Sequence, residues 1–157
     1  MKIILLSVGK TDDPFFSQII EEYSRRINFY IPFDMKIIPD IKNTKNLSEK
    51  EQKKQEGEKL LKGLQPSDYV VLLDDKGKQY SSLEFAGYLE KKTFSAAKRL
   101  VFVVGGPYGF SQEIREKATE TMSLSRMTFT HQMVRLVFTE QLYRAMTILH
   151  NEPYHHE

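Results

Sequence analysis

Cysteine is absent from all 157 residues. That excludes a disulfide framework and cysteine-ligated zinc, and it fits a reducing compartment, so a cytoplasmic location is expected. No apolar run approaches the roughly 18 residues that a membrane-spanning helix needs. A soluble protein with no membrane partner is therefore expected. The opening MKIILLSVGK has a Lys ahead of a short apolar run but no small-residue cleavage site, and reads as a first strand rather than a signal peptide. Charge of one sign is scarce as well. The 23 Lys and Arg against 21 Asp and Glu leave +2, too little to argue nucleic-acid binding from net charge.

Several chemical motifs are missing. The four His stand at 131, 150, 155 and 156 without metal-ligand spacing, so no metal is expected. Gly9-Lys10-Thr11 invites a phosphate-loop reading, but Ile4 occupies the position of that motif's first glycine. A dinucleotide fingerprint starting at Gly105 fails because Pro107 and Phe110 stand where glycines are required. With no Cys and no Gly-x-Ser-x-Gly, nucleophilic hydrolase chemistry has nothing to rest on.

What is present is an alternation of buried strands and amphipathic helices. Continuous apolar runs at Ile3 to Val8, Tyr69 to Leu73 and Leu100 to Val104, with a shorter one at Met35 to Ile38 between Pro32 and Pro39, read as strands. The prolines suit an edge position for the last of these. Asp13-Pro14 opens a helix with Phe16, Ile19, Ile20, Tyr23 and Ile27 inward. Ser48 and Glu51 form a capping box ahead of a Lys- and Glu-rich helix, read either as a solvated surface or as an RNA-binding arm. Ser82 to Lys92 makes another helix, with Leu83, Phe85, Ala86 and Leu89 inward. The fold class expected is α/β, a doubly wound layer on a parallel sheet, as one domain over 1–157. A chain this size can bury roughly two-thirds of its unfolded surface.

The stretch from Leu100 to Arg135 organises the rest. Its strand ends at Gly105-Gly106-Pro107, and ligands of open α/β sheets gather at the carboxyl ends of strands, where glycine lets them approach the main chain. A second loop, Ser123 to Thr130, leads into the last helix. Together the two loops are read as a pocket of main chain and apolar side chains suited to an adenine ring and a neutral or zwitterionic ligand; a plain turn is the alternative. This is also the basic half, with seven Lys and Arg against four Glu between Lys98 and His150. The last helix carries Val134, Val137, Phe138, Leu142, Ala145, Met146 and Leu149 as a stripe wide enough for a sheet face and a second chain. Opposite stand Arg135, Thr139, Glu140, Tyr143 and Arg144, with Glu140 and Arg144 spaced for an i,i+4 pair.

Val104-Gly105-Gly106-Pro107-x-Gly109, Leu124-Ser125-x-Met127-Thr128-Phe129-x-His131-x-x-Val134-Arg135, Glu140-Gln141-x-Tyr143-Arg144-Ala145 and the ending Pro153-Tyr154-His155 resemble the SPOUT trefoil-knot methyltransferases. The match is to the RlmH type, which modifies N3 of a pseudouridine in bacterial 23S ribosomal RNA. One departure is Thr130, where many relatives have Pro. The resemblance implies a C-terminal trefoil knot, a homodimer, S-adenosyl-L-methionine as methyl donor, and 23S rRNA in the assembled ribosome as substrate. It places cofactor contacts on Leu73, Gly105, Leu124, Ser125, Arg126, Met127, Thr128 and Phe129.

For the acceptor, Arg144, with or without Arg135, is expected to stabilise the anion left when an imide N3 loses its proton. His155 or His156 is expected to accept that proton, and Tyr154 to stack on or hydrogen-bond the base. A disordered tail or an expression remnant is the other reading of the two terminal His. Because Pro153 stops the helix, the tail from Asn151 is expected to leave extended, reaching at most roughly 25 Å, far enough to cross a dimer interface. A ribosome-associated RNA-binding factor without catalysis and an adenine-nucleotide-binding regulator are the rival classes.

Overall fold

A computed structural model of the chain describes residues 1–156. Five strands form one parallel sheet: β1 (Lys2–Val8), β2 (Phe33–Ile38), β3 (Tyr69–Gln79), β4 (Arg99–Val104) and β5 (Glu120–Ser123), in the order β2-β1-β4-β3-β5. Five α-helices connect and close them: α1 (Pro14–Ile27), α2 (Glu49–Lys62), α3 (Ser82–Thr93), α4 (Gln112–Lys117) and α5 (His131–Leu149).

The period of two along each strand sorts the core into two layers. Ile3, Leu5, Val71, Leu73, Leu100 and Phe102 face the side closed by α1, α3 and α5. Ile4, Leu6, Val70, Leu72, Val101 and Val103 face the side closed by α2 and α4. This is the doubly wound arrangement expected from the alternating elements. β2 takes the edge, as its flanking prolines require.

Helix starts follow their caps. Asp13 accepts from the Phe15 N–H at 2.8 Å with Pro14 at the first helical position, and Ser48 and Glu51 close the expected capping box. Ser81 and Glu84 make a second one ahead of α3. Ile19 and Leu83, expected inward, are instead exposed.

Three features depart from the sequence reading. First, Asp74-Asp75-Lys76-Gly77 is not the end of the third strand. β3 shifts register after Leu73 and resumes pairing with β5 at Lys78 and Gln79. Gly77 is what permits it, since a Cβ there would lie 2.6 Å from the Met122 main chain. Second, β5 and the short α4 lie inside a stretch read only as connection. Third, most of the apolar stripe on the last helix is used within the chain, while Val134, Val137 and Leu149 stay half-buried. α5 packs between α1 and α3 as well as on the sheet, so Phe138, Leu142, Ala145 and Met146 are all buried within one chain.

The polar side of α5 is also partly inward. Arg135 is 1% exposed, its guanidinium donating to the Val8 carbonyl at 2.6 Å and to Thr11 Oγ1 at 3.0 Å. It ties α5 to the end of β1 and is unavailable as an anion-stabilising group. Beyond α5 the chain does not extend away. Asn151 adopts φ 56°, the Glu152 N–H reaches the Thr147 carbonyl at 2.9 Å, and the Asn151 N–H reaches Ile148 at 3.1 Å. This is a Schellman cap. It turns the tail back along α5, where the Tyr154 ring rests 4.8 Å from Tyr143.

Candidate active site

A cavity of about 190 Å³ opens where β4 ends and β3 shifts register. Leu73, Asp74 and Asp75 from β3, Val104 to Gly106 from β4 and its loop, the 124–129 loop, and His131 and Val134 from α5 line it. Of the residues expected to touch a cofactor, Leu73, Gly105, Leu124, Ser125, Met127, Thr128 and Phe129 are in this lining. Arg126 is exposed and outside it. Asp74, Asp75, Phe110 and His131 join the wall without having been singled out as contacts. For Asp74 and Asp75 the available signal was their place directly after the apolar run Tyr69 to Leu73.

The 124–129 loop is held by serines. Ser123 Oγ donates to the Ser125 carbonyl at 2.8 Å, and Ser125 Oγ accepts from the Met127 N–H at 2.9 Å. The N–H groups of Thr128 and Phe129, two residues of the lining, donate to no other described residue. Thr130 sits at φ −63°, the value a proline ring would impose, and its hydroxyl caps Met133 at 3.3 Å. Threonine thus fixes the same entry into α5 by a hydrogen bond instead of a ring.

The glycines serve the wall more than the ligand. A Cβ on Gly106 would sit 1.9 Å from Glu56 Oε2, and one on Gly105 would press within 3.2 Å of the Phe110 ring. Close approach by protein groups, not by ligand alone, therefore explains both positions. Gly109 at φ +80° is the residue of this loop whose conformation itself calls for glycine. Behind it α2 and the loop meet through buried polar atoms. Glu56 is 4% exposed, and its carboxyl is pushed up by burial, with Gln52 Nε2 donating to it at 3.1 Å.

Two groups in the cavity wall have shifted titration. Burial, with the Arg135 charge beside it, pushes the His131 imidazole below its ordinary value, so it is neutral at pH 7. Burial acts to raise Asp74, but the Lys76 N–H and the Arg115 guanidinium outweigh it and hold the carboxylate ionised. Arg115 Nη2 lies 2.8 Å from Asp74 Oδ2.

Arg144, Tyr154 and His155 come together at the other end of α5. Arg144 Nε donates to Glu140 Oε1 at 3.1 Å, the Tyr154 hydroxyl donates to the same oxygen at 3.1 Å, and Tyr23 O–H lies 3.2 Å from Tyr154 O–H. The guanidinium stands 4.8 Å over the Tyr154 ring and 3.4 Å from His155 Nδ1. Because guanidinium only donates, Nδ1 is the acceptor in that contact. Burial and the Tyr23 contact push the Tyr154 phenol up, so it stays protonated at neutral pH. This cluster is thirteen residues along α5 from His131, about 20 Å of helix rise, and does not reach its own chain's cavity.

The chain is thus an all-parallel α/β layer with a cavity beside the end of β4 and a charged cluster toward the end of α5. A family described as "Predicted SPOUT methyltransferase" matches residues 1–155. The chain belongs to the SPOUT methyltransferases. Relatives named "Ribosomal RNA large subunit methyltransferase H" share 63% identity in Parabacteroides distasonis and 55% in Porphyromonas gingivalis, each over 100% of both chains. In Christiangramia forsetii the protein of that name shares 58% over 99% of each. A solved structure titled as a putative RNA methyltransferase of the TrmH family from Porphyromonas gingivalis aligns at 10% identity and a TM-score of 0.39, over 88% of this chain and 58% of that one, too loosely to argue from. Among the described residues no helix is long and apolar enough to cross a membrane, and no side-chain group could hold a metal ion.

Proposed function

We propose that this methyltransferase works as a cytoplasmic homodimer that moves a methyl group from S-adenosylmethionine to N3 of a pseudouridine in 23S ribosomal RNA of the large subunit. The observation that carries it is the split of the site: a main-chain and apolar cavity at one end of α5, and an Arg-Tyr-His cluster at the other. The names of the full-length relatives support the substrate class.

The cavity fits the cofactor in kind. It is smaller than the roughly 300–1,000 Å³ of sites for drug-sized ligands, and Leu73, Gly105 and the 124–129 loop would hold part of the cofactor there. The Asp75 carboxylate in the lining suits a cationic ligand, Asp74 being paired with Arg115. When bound, S-adenosylmethionine supplies a sulfonium methyl open to in-line displacement. The protein then has to align the acceptor and favour its deprotonated form. Arg144, pinned by Glu140, stabilises the N3 anion, and Tyr154 offers a ring and a protonated hydroxyl to the base. His155, whose Nδ1 lies 3.4 Å from Arg144, or His156 accepts the proton that N3 gives up.

Because cluster and cavity lie at opposite ends of α5, a second copy must bring its cluster to the first copy's cavity. Phe15 and Met127, each 77% exposed, with Ile19 and Phe129, offer apolar surface around the α1 start and the cavity loop. Asp13 N–H on Gln132 Oε1 at 3.2 Å shows that these two starts are adjacent. Equilibrium dialysis against labelled S-adenosylmethionine and ATP, with mass mapping of rRNA from a strain lacking the gene, tests the reading. Tight ATP binding without S-adenosylmethionine binding, or an unchanged rRNA mass map, would overturn it.

A further inference from the structure

A second groove, of about 720 Å³, runs between α2 and the loop leading into α4, on the sheet face away from α5. Lys50, Lys53, Lys54 and Arg115 line it against two carboxylates, Glu49 and Glu113. The three lysines stand at i, i+3 and i+4, which puts them on one side of the helix. None is in an ion pair among the described residues, whereas Arg115 is committed to Asp74. Lys54 acts electrostatically on Glu113, while Lys50 and Lys53 stand in no ion pair and are open to an incoming polyanion.

The groove is also tied to the cavity. Phe110 lines both, so one loop forms a wall of each. Tyr108 also lines the groove, with its ring 42% exposed. An exposed ring beside a row of cations is the pairing that single-stranded nucleic acid uses, phosphates on the charges and a base on the ring.

We propose that this groove grips the sugar–phosphate backbone of the ribosomal RNA next to the target nucleotide, with Tyr108 stacking on a neighbouring base. The proposal rests on the methyltransferase reading for the identity of the RNA. It gives a chain of net charge +2 a local row of cations for a polyanion.

The test compares three full-length variants by cosedimentation with large ribosomal subunits across a salt series, with S-adenosylmethionine affinity and methyl-transfer kinetics in parallel. Lys50→Gln/Lys53→Gln/Lys54→Gln should raise KM for subunits by at least about tenfold and lower the slope of log K against log salt by about two to three, with S-adenosylmethionine affinity unchanged. Tyr108→Ala should weaken binding by about tenfold while keeping the slope. A charge-matched Lys62→Gln/Lys91→Gln/Lys98→Gln control, away from the groove, should bind as the wild type does. Replacing the groove lysines by Arg should restore affinity. A groove variant indistinguishable from the control in KM and slope would overturn the proposal while leaving the methyltransferase reading intact. Groove-dependent binding to subunits by a wild-type chain that transfers no methyl group would uphold the groove and remove that reading instead.

Discussion

The two ends of α5 solve different problems with different materials. At its start, the cavity is built from main chain, glycines and apolar side chains, and its two shifted groups are a neutral imidazole and a tethered carboxylate. At its far end, Arg144, Glu140, Tyr154 and Tyr23 form a chain of polar contacts closed over by the tail. The first suits an invariant ligand recognised by shape and backbone. The second suits a group whose charge changes during reaction. The difference teaches that the two halves should fail separately, one in binding and one in turnover.

The largest expected effect separates them. Arg144→Ala should lower methyl transfer by about 10² to 10³-fold, the range for losing a group aimed at developing charge, with S-adenosylmethionine affinity retained. Single-turnover kinetics and calorimetry check the two halves of that statement. Arg144→Lys should recover little, since a point charge cannot hold both Glu140 and the Tyr154 face.

At the other end, Gly106→Ala should cost about 1–3 kcal/mol by overpacking against Glu56 and weaken cofactor binding. Adding Glu56→Ala should recover part of both losses, a coupling that a double-mutant cycle in urea would measure. If the two substitutions are additive, the contact between α2 and the loop carries no weight.

A smaller effect comes from pH. His131 has its folded value below its ordinary value near 6.5, so the folded state binds fewer protons than the unfolded state in that window. Its contribution is fully present above about pH 6.5 and is lost as pH falls below it toward the folded value. His131→Gln should flatten the fall in Tm over that range. The smallest expected effect is that of Tyr154→Phe, which removes hydrogen bonds to Glu140 and Tyr23 worth about 1 kcal/mol in total stability. Deleting Pro153 to Glu157 should lower Tm by a few degrees, because the tail packs on Tyr143, and should abolish most turnover.

How much of this was legible in the sequence depended on which interaction decided each element. β1, β4 and the first half of β3 are apolar on both faces, and that pattern suffices for buried parallel strands. β5 was hidden because Glu120-Thr121-Met122-Ser123 buries only its last two residues, and its pairing partner lies beyond a bulge that reads as a turn. The buried Arg135 was hidden because its partner is a main-chain carbonyl on β1, which no side-chain pattern records. The tail's direction was readable in hindsight. Asn is the residue after Gly most suited to the left-handed cap, and Asn151 stands where the helix must stop. The cavity lining was recovered by resemblance more than by periodicity, since the contacts lie in loops where no period applies.

The central claim is that one copy's cavity works with another copy's Arg144 cluster. Mixing chains carrying Gly105→Val, which presses on Phe110 in the cavity wall, with chains carrying Arg144→Ala tests it most directly. Each variant alone should be inactive. After subunit exchange the mixture should regain about a quarter of wild-type activity, because half of the dimers are mixed and each of those holds one intact composite site of two. A mixture that exchanges subunits yet stays as inactive as its components would show that cavity and cluster serve the same chain.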